Sequence, residues 1–253
     1  MEYFRGMRLD EEALATFRRQ GFLNLGRILR DSELDDIAEE YDRLVTFEAQ
    51  TLGNEDDGVF PYRAMLNFRS RKLRSFINHP ELVELAMQIL GPDVRFWWDQ
   101  GINKAPGSGS EIPWHQDNGY HPGGCPEYLT TWLALDDSDL DNGGLEVLPG
   151  SHKEGPREHD LETVHYFVPR VDAAGATELR ARAGDHLIFS SLLLHRTAGN
   201  RTADRQRRAW VMQFARGDAH NFATGEVYDD RPWVARAGRR IDEPWAERRF
   251  QLT

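Results

Sequence analysis

Ile112-Pro113-Trp114-His115-Gln116-Asp117 is the stretch on which the reading of this chain turns. In extended backbone, residues two apart project to the same face. The His115 imidazole and the Asp117 carboxylate would therefore stand side by side on a strand. Such a pair is two thirds of the 2-His-1-carboxylate facial triad, which binds non-haem Fe(II) and leaves three adjacent positions open. A bidentate co-substrate and O2 can fill those positions. A His-x-Asp also arises by chance in a chain with nine histidines, so the surrounding sequence has to carry the rest.

Outward from that stretch, strand-like runs occupy 94–104, 128–136, 145–148, 163–171, 177–182, 186–194 and 208–216, separated by Gly, Pro, Asn and Asp. The segment before them, 10–48, has helical periodicity. Asp10-Glu11-Glu12 opens one helix, Gly21 to Leu25 forms a short strand, and Asp31-Ser32-Glu33 opens a second helix with an apolar stripe of Leu34, Ile37, Tyr41 and Leu44. Residues 50–75 read as irregular, with a loop from Gly53 to Gly58. A third helix starts at His79-Pro80-Glu81, runs through Leu82, Leu85, Ile89 and Leu90, and stops at Gly91-Pro92. Helices first and short strands after them imply a mainly β domain, an antiparallel barrel or sandwich with the N-terminal helices packed on one outer sheet. One domain is expected over 1–253, with a helical part at about 10–90, a β core at about 94–216 and an extension at 217–253. The extension carries Trp233 and Trp245 among charges and reads as either a lid or a packed tail.

Composition narrows the partners. With 31 basic and 42 acidic residues the net charge is −11, which argues against nucleic acid and anionic membranes. Hydrophobic residues make up 40% and charged residues 29%, the balance of a globular chain. Cys125 is the single cysteine, so no internal disulfide can form; it sits in the loop-like Gly123-Gly124-Cys125-Pro126 and reads as structural rather than nucleophilic. Met1 to Asp10 has no apolar run of signal-peptide type, and no stretch reaches the length of a membrane span. A cytoplasmic protein acting on a small molecule is expected.

A third ligand should be a histidine downstream, from among His121, His152, His159, His165, His186, His195 and His220. His195 stands out because it ends the apolar run Leu187 to Leu194, which would give it an ordered, dry setting. It lies 195 − 117 = 78 residues past Asp117, room for several strands. Arg207 and Arg208 follow on the next strand, and a guanidinium is suited to a distal carboxylate. Arg208, Trp210, Met212 and Phe214 alternate as a bulky set that suits a helix-covered face. Arg207, Ala209, Val211 and Gln213 would then face the interior, which favours Arg207 and leaves Arg208 open.

Several motifs in order resemble the phytanoyl-CoA dioxygenase family of Fe(II)/2-oxoglutarate-dependent oxygenases. They are Phe17-Arg18-Arg19-Gln20-Gly21-Phe22, Ile89 to Val94, Asn103-Lys104-Ala105-Pro106-Gly107, Trp114 to Asp117, Gly184-Asp185, and His195 through Asn200 to Arg207. Asn142-Gly143-Gly144-Leu145-Glu146-Val147-Leu148-Pro149-Gly150-Ser151-His152 is close to the family's Asn-Gly-x-Leu-x-x-x-Pro-Gly-Ser-His pattern. The resemblance covers about 17–214 and implies a double-stranded β-helix, the cupin-like jelly roll. It implies His115, Asp117 and His195 as iron ligands and Arg207 as the 2-oxoglutarate anchor. It further implies Thr197 and Trp132 beside 2-oxoglutarate, and Gln100 as a polar contact. His152 falls in the structural Pro-Gly-Ser-His turn, while Tyr120 and His121 would line the substrate pocket.

The chemistry so implied uses Fe(II), O2 and 2-oxoglutarate, with ascorbate as reductant in vitro, and releases succinate and CO2 as a substrate C–H is oxidised. Halogenating relatives lack the carboxylate ligand, so Asp117 favours hydroxylation, or desaturation, epimerisation or ring closure, over halogenation. The acidic balance disfavours a CoA thioester. A small metabolite or natural-product intermediate is the leading substrate class, and a lipid-derived acyl group is second. A non-catalytic jelly-roll binding protein is the reading from another class, disfavoured because mere binding needs no arginine beside a complete triad.

Overall fold

The computed structural model describes residues 8–52, 62–121, 124–162 and 165–245. Helix α1 (Glu11–Gln20) starts where the Asp10 side chain accepts from the Ala13 N–H, and it stops at Gly21 in the left-handed conformation, φ 86°. Strand β1 (Phe22–Arg27), α2 (Asp31–Leu52) and β2 (Tyr62–Ala64) follow. Then come α3 (Arg71–Ile77) and α4 (Pro80–Leu90), the latter capped by the His79 side chain. The segment expected to be irregular thus holds a strand and a helix. Ser70 caps α3 by accepting from the Leu73 N–H, and a helix of two turns is too short to display periodicity. The expected loop from Gly53 to Gly58 lies outside the described residues.

The remaining strands are β3 (Val94–Lys104), β4 (Ile112–His115), β5 (Leu129–Ala134), β6 (Leu145–Val147), β7 (Thr177–Leu179), β8 (Asp185–Ser190), β9 (His195–Thr197), β10 (Arg207–Arg216), β11 (Trp233–Arg236) and β12 (Arg239–Arg240). They form two antiparallel sheets. The large one runs β1-β8-β5-β10-β3-β11-β12, with β2 also on β3; the small one runs β4-β9-β6-β7. Leu145, Val147 and Leu179 of the small sheet pack on Trp132, Leu187, Phe189 and Val211 of the large one, which makes the interior of the expected jelly roll.

The other face of the large sheet is covered by the helices. Trp210, Met212 and Phe214 join Phe96, Leu133 and Ile188 against Phe17, Leu34, Tyr41, Leu82 and Leu85. The alternation expected for β10 is therefore the observed one. The apolar run at 186–194, by contrast, is not one strand. It divides after Ser190 because two serines build a turn: Ser190 Oγ accepts from the Leu192 N–H (3.1 Å), and Ser191 Oγ accepts from the Tyr128 N–H (2.9 Å). His195 consequently begins a strand of the other sheet rather than ending β8.

The strand expected at 163–171 is not formed in its described part, which keeps only an isolated bridge between Asp160 and Phe167. Pro169 has no N–H, and Arg170 takes a left-handed φ of 61°. The C-terminal extension packs. Strand β11 pairs with the edge of β3, the Arg95 guanidinium lies 3.7 Å from the centroid of the Trp233 ring, and Trp245 is buried against Phe96. Among the described residues no helix is long and apolar enough to cross a membrane.

Candidate active site

His115 is the last residue of β4, and Asp117 opens a short 3-10 turn, so the two are not on one strand. They still share a side because Gln116 between them is extended (φ −114°, ψ 136°). Gln116 points away and ties the turn down. Its Nε2 donates to Leu192 O (2.7 Å) and Gly155 O (3.0 Å), its Oε1 accepts from the Arg157 N–H, and its own N–H donates to His159 Nε2 (3.0 Å). The pairing of β4 with β9 then sets His195 directly across from His115, with ring centroids 4.1 Å apart.

Each histidine is held in one tautomer. Nδ1–H of His115 donates to Pro113 O (2.8 Å), and Nδ1–H of His195 donates to Leu193 O (2.9 Å), so both Nε2 lone pairs remain for a ligand role. Asp117 Oδ1 lies 3.7 Å from His115 Nε2 and 3.5 Å from His195 Nε2. Its Oδ2 accepts from Thr130 Oγ1 (2.5 Å) and Gln213 Nε2 (3.1 Å). Burial first, and His195 second, hold the His115 imidazole far below its usual range and therefore neutral, as metal binding requires. Two imidazoles and a carboxylate oxygen, all within 4.8 Å of one another, are the donor set of the facial triad. Thr130 and Gln213 carry no motif. Only the interior-facing register of Gln213 could have pointed to it.

Arg207 stands further along the interior face, with zero exposure, and none of its three guanidinium nitrogens has a hydrogen-bond partner among the described residues. Burial brings it down to about 10, so it stays charged. A buried, charged, unpaired fork is costly unless an anion meets it. Its Cζ lies 5.9 Å from the centroid of the buried Trp132 ring, whose Nε1 is also without a partner. Arg208 turns to the opposite side, where its Nε and one terminal nitrogen grip Asp136 (2.9 and 2.7 Å) and the other reaches Asp42 (2.6 Å). Gln100 lies across from Val211 on the interior face, and its Oε1 accepts from Trp98 Nε1 (3.0 Å).

Thr197 ends β9 and is buried. Its Oγ1 accepts from Lys104 Nζ (2.8 Å), and Lys104 is itself wholly buried across the ladder from Arg207. Burial, then the Arg207 charge, push the Lys104 ammonium down to about 6, against the opposing charge of Glu111. Lys104 lies within the Asn103 to Gly107 motif, but nothing in that motif places it in the site.

Aromatic groups surround the ligands. Tyr120 meets the His115 ring edge-on at 5.6 Å and stacks on Tyr166 at 5.1 Å. Trp97 Nε1 donates to His121 Nε2 (3.0 Å), and Tyr228 from the extension packs edge-on against Trp97 at 4.9 Å. His152 lies elsewhere: its Nε2–H donates to Arg18 O at the end of α1, and its ring is why position 21 has no side chain, since a Cβ there would sit 2.5 Å from Nδ1. Cys125 is buried, and burial pushes its thiol up to about 12, so no thiolate nucleophile forms there.

This arrangement has known counterparts. The family model described as Phytanoyl-CoA dioxygenase (PhyH) matches residues 17–209. The peroxisomal phytanoyl-CoA dioxygenase of Homo sapiens is 26% identical over 229 residues, covering 81% of this chain and 68% of that protein. The ectoine dioxygenase of Nocardia farcinica is 28% identical over 225 residues, covering 77% and 74%. Among solved structures, EvdO2 from Micromonospora carbonacea var. aurantiaca, complexed with 2-oxoglutarate, superposes with a TM-score of 0.68 at 25% identity, covering 82% of this chain and 91% of that one. With the family match spanning most of the sequence and a triad in the interior of the jelly roll, the chain belongs to the phytanoyl-CoA dioxygenase family and is an Fe(II)/2-oxoglutarate-dependent oxygenase.

Proposed function

We propose that the protein hydroxylates an unactivated C–H of a small metabolite or natural-product intermediate. The overall change converts substrate, O2 and 2-oxoglutarate into hydroxylated substrate, succinate and CO2. The observation that carries this reading is a complete triad sharing one interior with a buried guanidinium that has no partner among the described residues. His115, Asp117 and His195 hold Fe(II), which when bound supplies O2 activation coupled to decarboxylation of the co-substrate. Arg207 and the Thr197 hydroxyl take the distal carboxylate of 2-oxoglutarate, the Trp132 ring walls that pocket, and Gln100 offers a polar contact.

Tyr120, Tyr166, Trp97, His121 and Tyr228 offer the substrate mostly apolar faces. His121 stays neutral, because burial pushes it down to about 4, and with Nε2 accepting from Trp97 it carries its proton on Nδ1. Such walls suit a compact, largely uncharged molecule better than a polyphosphate-bearing thioester. The test is turnover with Fe(II), 2-oxoglutarate and ascorbate across a metabolite panel, reading succinate and product mass. Substrate-stimulated succinate with a product 16 mass units heavier, the mass of one oxygen atom, is the expected result. No 2-oxoglutarate binding to the Fe(II)-loaded protein under argon would overturn the reading.

A further inference from the structure

Lys104 is the one lysine among the described residues with no solvent exposure, and it lies beside a second buried cation. Burial and the Arg207 charge oppose the ammonium, so keeping its three N–H groups as donors needs compensation from three acceptors. Lys104 finds it in oxygens from two separate segments: Nζ donates to Ser110 O (3.0 Å), to Thr197 Oγ1 (2.8 Å) and to Ala198 O, with Thr197 O at 3.4 Å. Its stem lies over Gly143, where a Cβ would stand 2.6 Å from Lys104 Cδ. Asn200 Nδ2 donates to Lys104 O (3.0 Å). The Asn-Lys, Asn-Gly-Gly and Thr-x-Gly-Asn segments therefore converge on this side chain.

The bond to Thr197 has a directional consequence. A hydroxyl has one proton and two lone pairs. With a lone pair taken by Nζ, and with no other hydrogen bond to Oγ1 among the described residues, the Thr197 proton is left for an acceptor in the interior. Arg207 is also without a partner there. We propose that Lys104 is a positioning residue for the co-substrate: it holds the Thr197 hydroxyl as a donor beside Arg207, so that the two together receive the distal carboxylate of 2-oxoglutarate. This rests on the proposed oxygenase reading. It assigns Lys104 a role through Thr197 and no contact with iron.

The test is a double-mutant cycle in the Fe(II)-loaded protein under argon, titrating 2-oxoglutarate by the visible metal-to-ligand charge-transfer absorption and Fe(II) separately by calorimetry. Thr197→Val should weaken 2-oxoglutarate binding about tenfold or more, the effect of losing a hydrogen bond to a charged group. Lys104→Met should weaken it to a similar extent, yet by less than about twofold when Thr197 is already Val, because one interaction cannot be lost twice. Fe(II) affinity should stay within about threefold of wild type in all three variants, since none alters a ligand. Should Lys104→Met not fold, the same cycle is run with Lys104→Gln, whose shorter neutral amide cannot span to Thr197. Unchanged 2-oxoglutarate affinity in the lysine variant, or an undiminished loss in the Thr197→Val background, would overturn the inference in favour of a plain clasp between β3 and β9. Failure of the wild type to bind 2-oxoglutarate would instead overturn the oxygenase reading, and this inference with it.

Discussion

The two faces of the large sheet use polar groups in opposite ways. On the helix-covered face Asp99 and Arg208 are paired: Asp99 accepts from Asn67 Nδ2 (2.5 Å) and Trp210 Nε1 (3.0 Å), and Arg208 is held by Asp136 and Asp42. On the interior face Arg207 and the Trp132 indole are left without partners among the described residues, and the Nε2 atoms of both triad histidines lie beside Asp117 Oδ1. Arg207 and Arg208 are chain neighbours, so the difference follows from strand alternation alone. A paired guanidinium marks the face that stabilises, and an unpaired one marks the face that binds.

The sharpest break of that contrast is at the metal. His195→Ala should abolish succinate formation and most Fe(II) binding, whereas His152→Ala, on the α1 side, should keep both. Calorimetric iron titration under argon decides between them, and the reverse pattern would remove His195 from the triad.

Next comes stability against binding. Trp210→Ala should cost about 3–5 kcal/mol, the range for emptying a buried aromatic site. At roughly 2–4 °C per kcal/mol this lowers the melting temperature by about 6–20 °C. Its 2-oxoglutarate affinity, measured well below the melt, should be unchanged.

The two arginines give the inverse test. Arg207→Ala should weaken 2-oxoglutarate by about 2–5 kcal/mol, 30-fold to several thousand-fold, with iron still bound. Arg208→Ala should leave that affinity alone and lower the melting temperature instead. A 2-oxoglutarate defect in Arg208→Ala without one in Arg207→Ala would invert the roles.

The effect that is smallest at neutral pH concerns protonation and an exception to the contrast. His186 is wholly buried, is aligned in the ladder with Leu133 of the helix-covered face, and has no partner on either ring nitrogen among the described residues. Burial pushes it down to about 3, so the unfolded chain takes up a proton near pH 6.5 that the native protein refuses. Stability is therefore lost as pH falls from about 6.5 toward 3, by up to about 1.4 kcal/mol per pH unit from this group. His186→Leu should flatten that acid limb in urea melts. An unchanged acid limb would show that His186 gains its proton without unfolding.

Much was legible in the chain because it is local. The His-x-Asp spacing, the alternation of β10, the caps at Asp10 and Gly21, and the ordered family motifs all depend on residues close in sequence, and they pointed to the jelly roll and to the candidate ligands. The turn at Ser190-Ser191 was not legible, because an apolar run looks the same whether it lies in one strand or is shared between two sheets. The Arg170 conformation and the short α3 leave no periodic signal in the sequence, because each spans too few residues.

The chain by itself determined which side chains alternate on each strand, where the first helix begins and ends, and which residue types were on offer for iron and 2-oxoglutarate. Only the tertiary structure decided which groups meet. It set β9 against β4 so that His195 faces His115, brought Thr130 and Gln213 to the back of Asp117, and buried Lys104 between Arg207 and Thr197. The reason is physical: dihedral preference and periodicity act over a few residues, whereas desolvation and hydrogen-bond completion depend on neighbours that only sheet pairing brings within 3 Å or so.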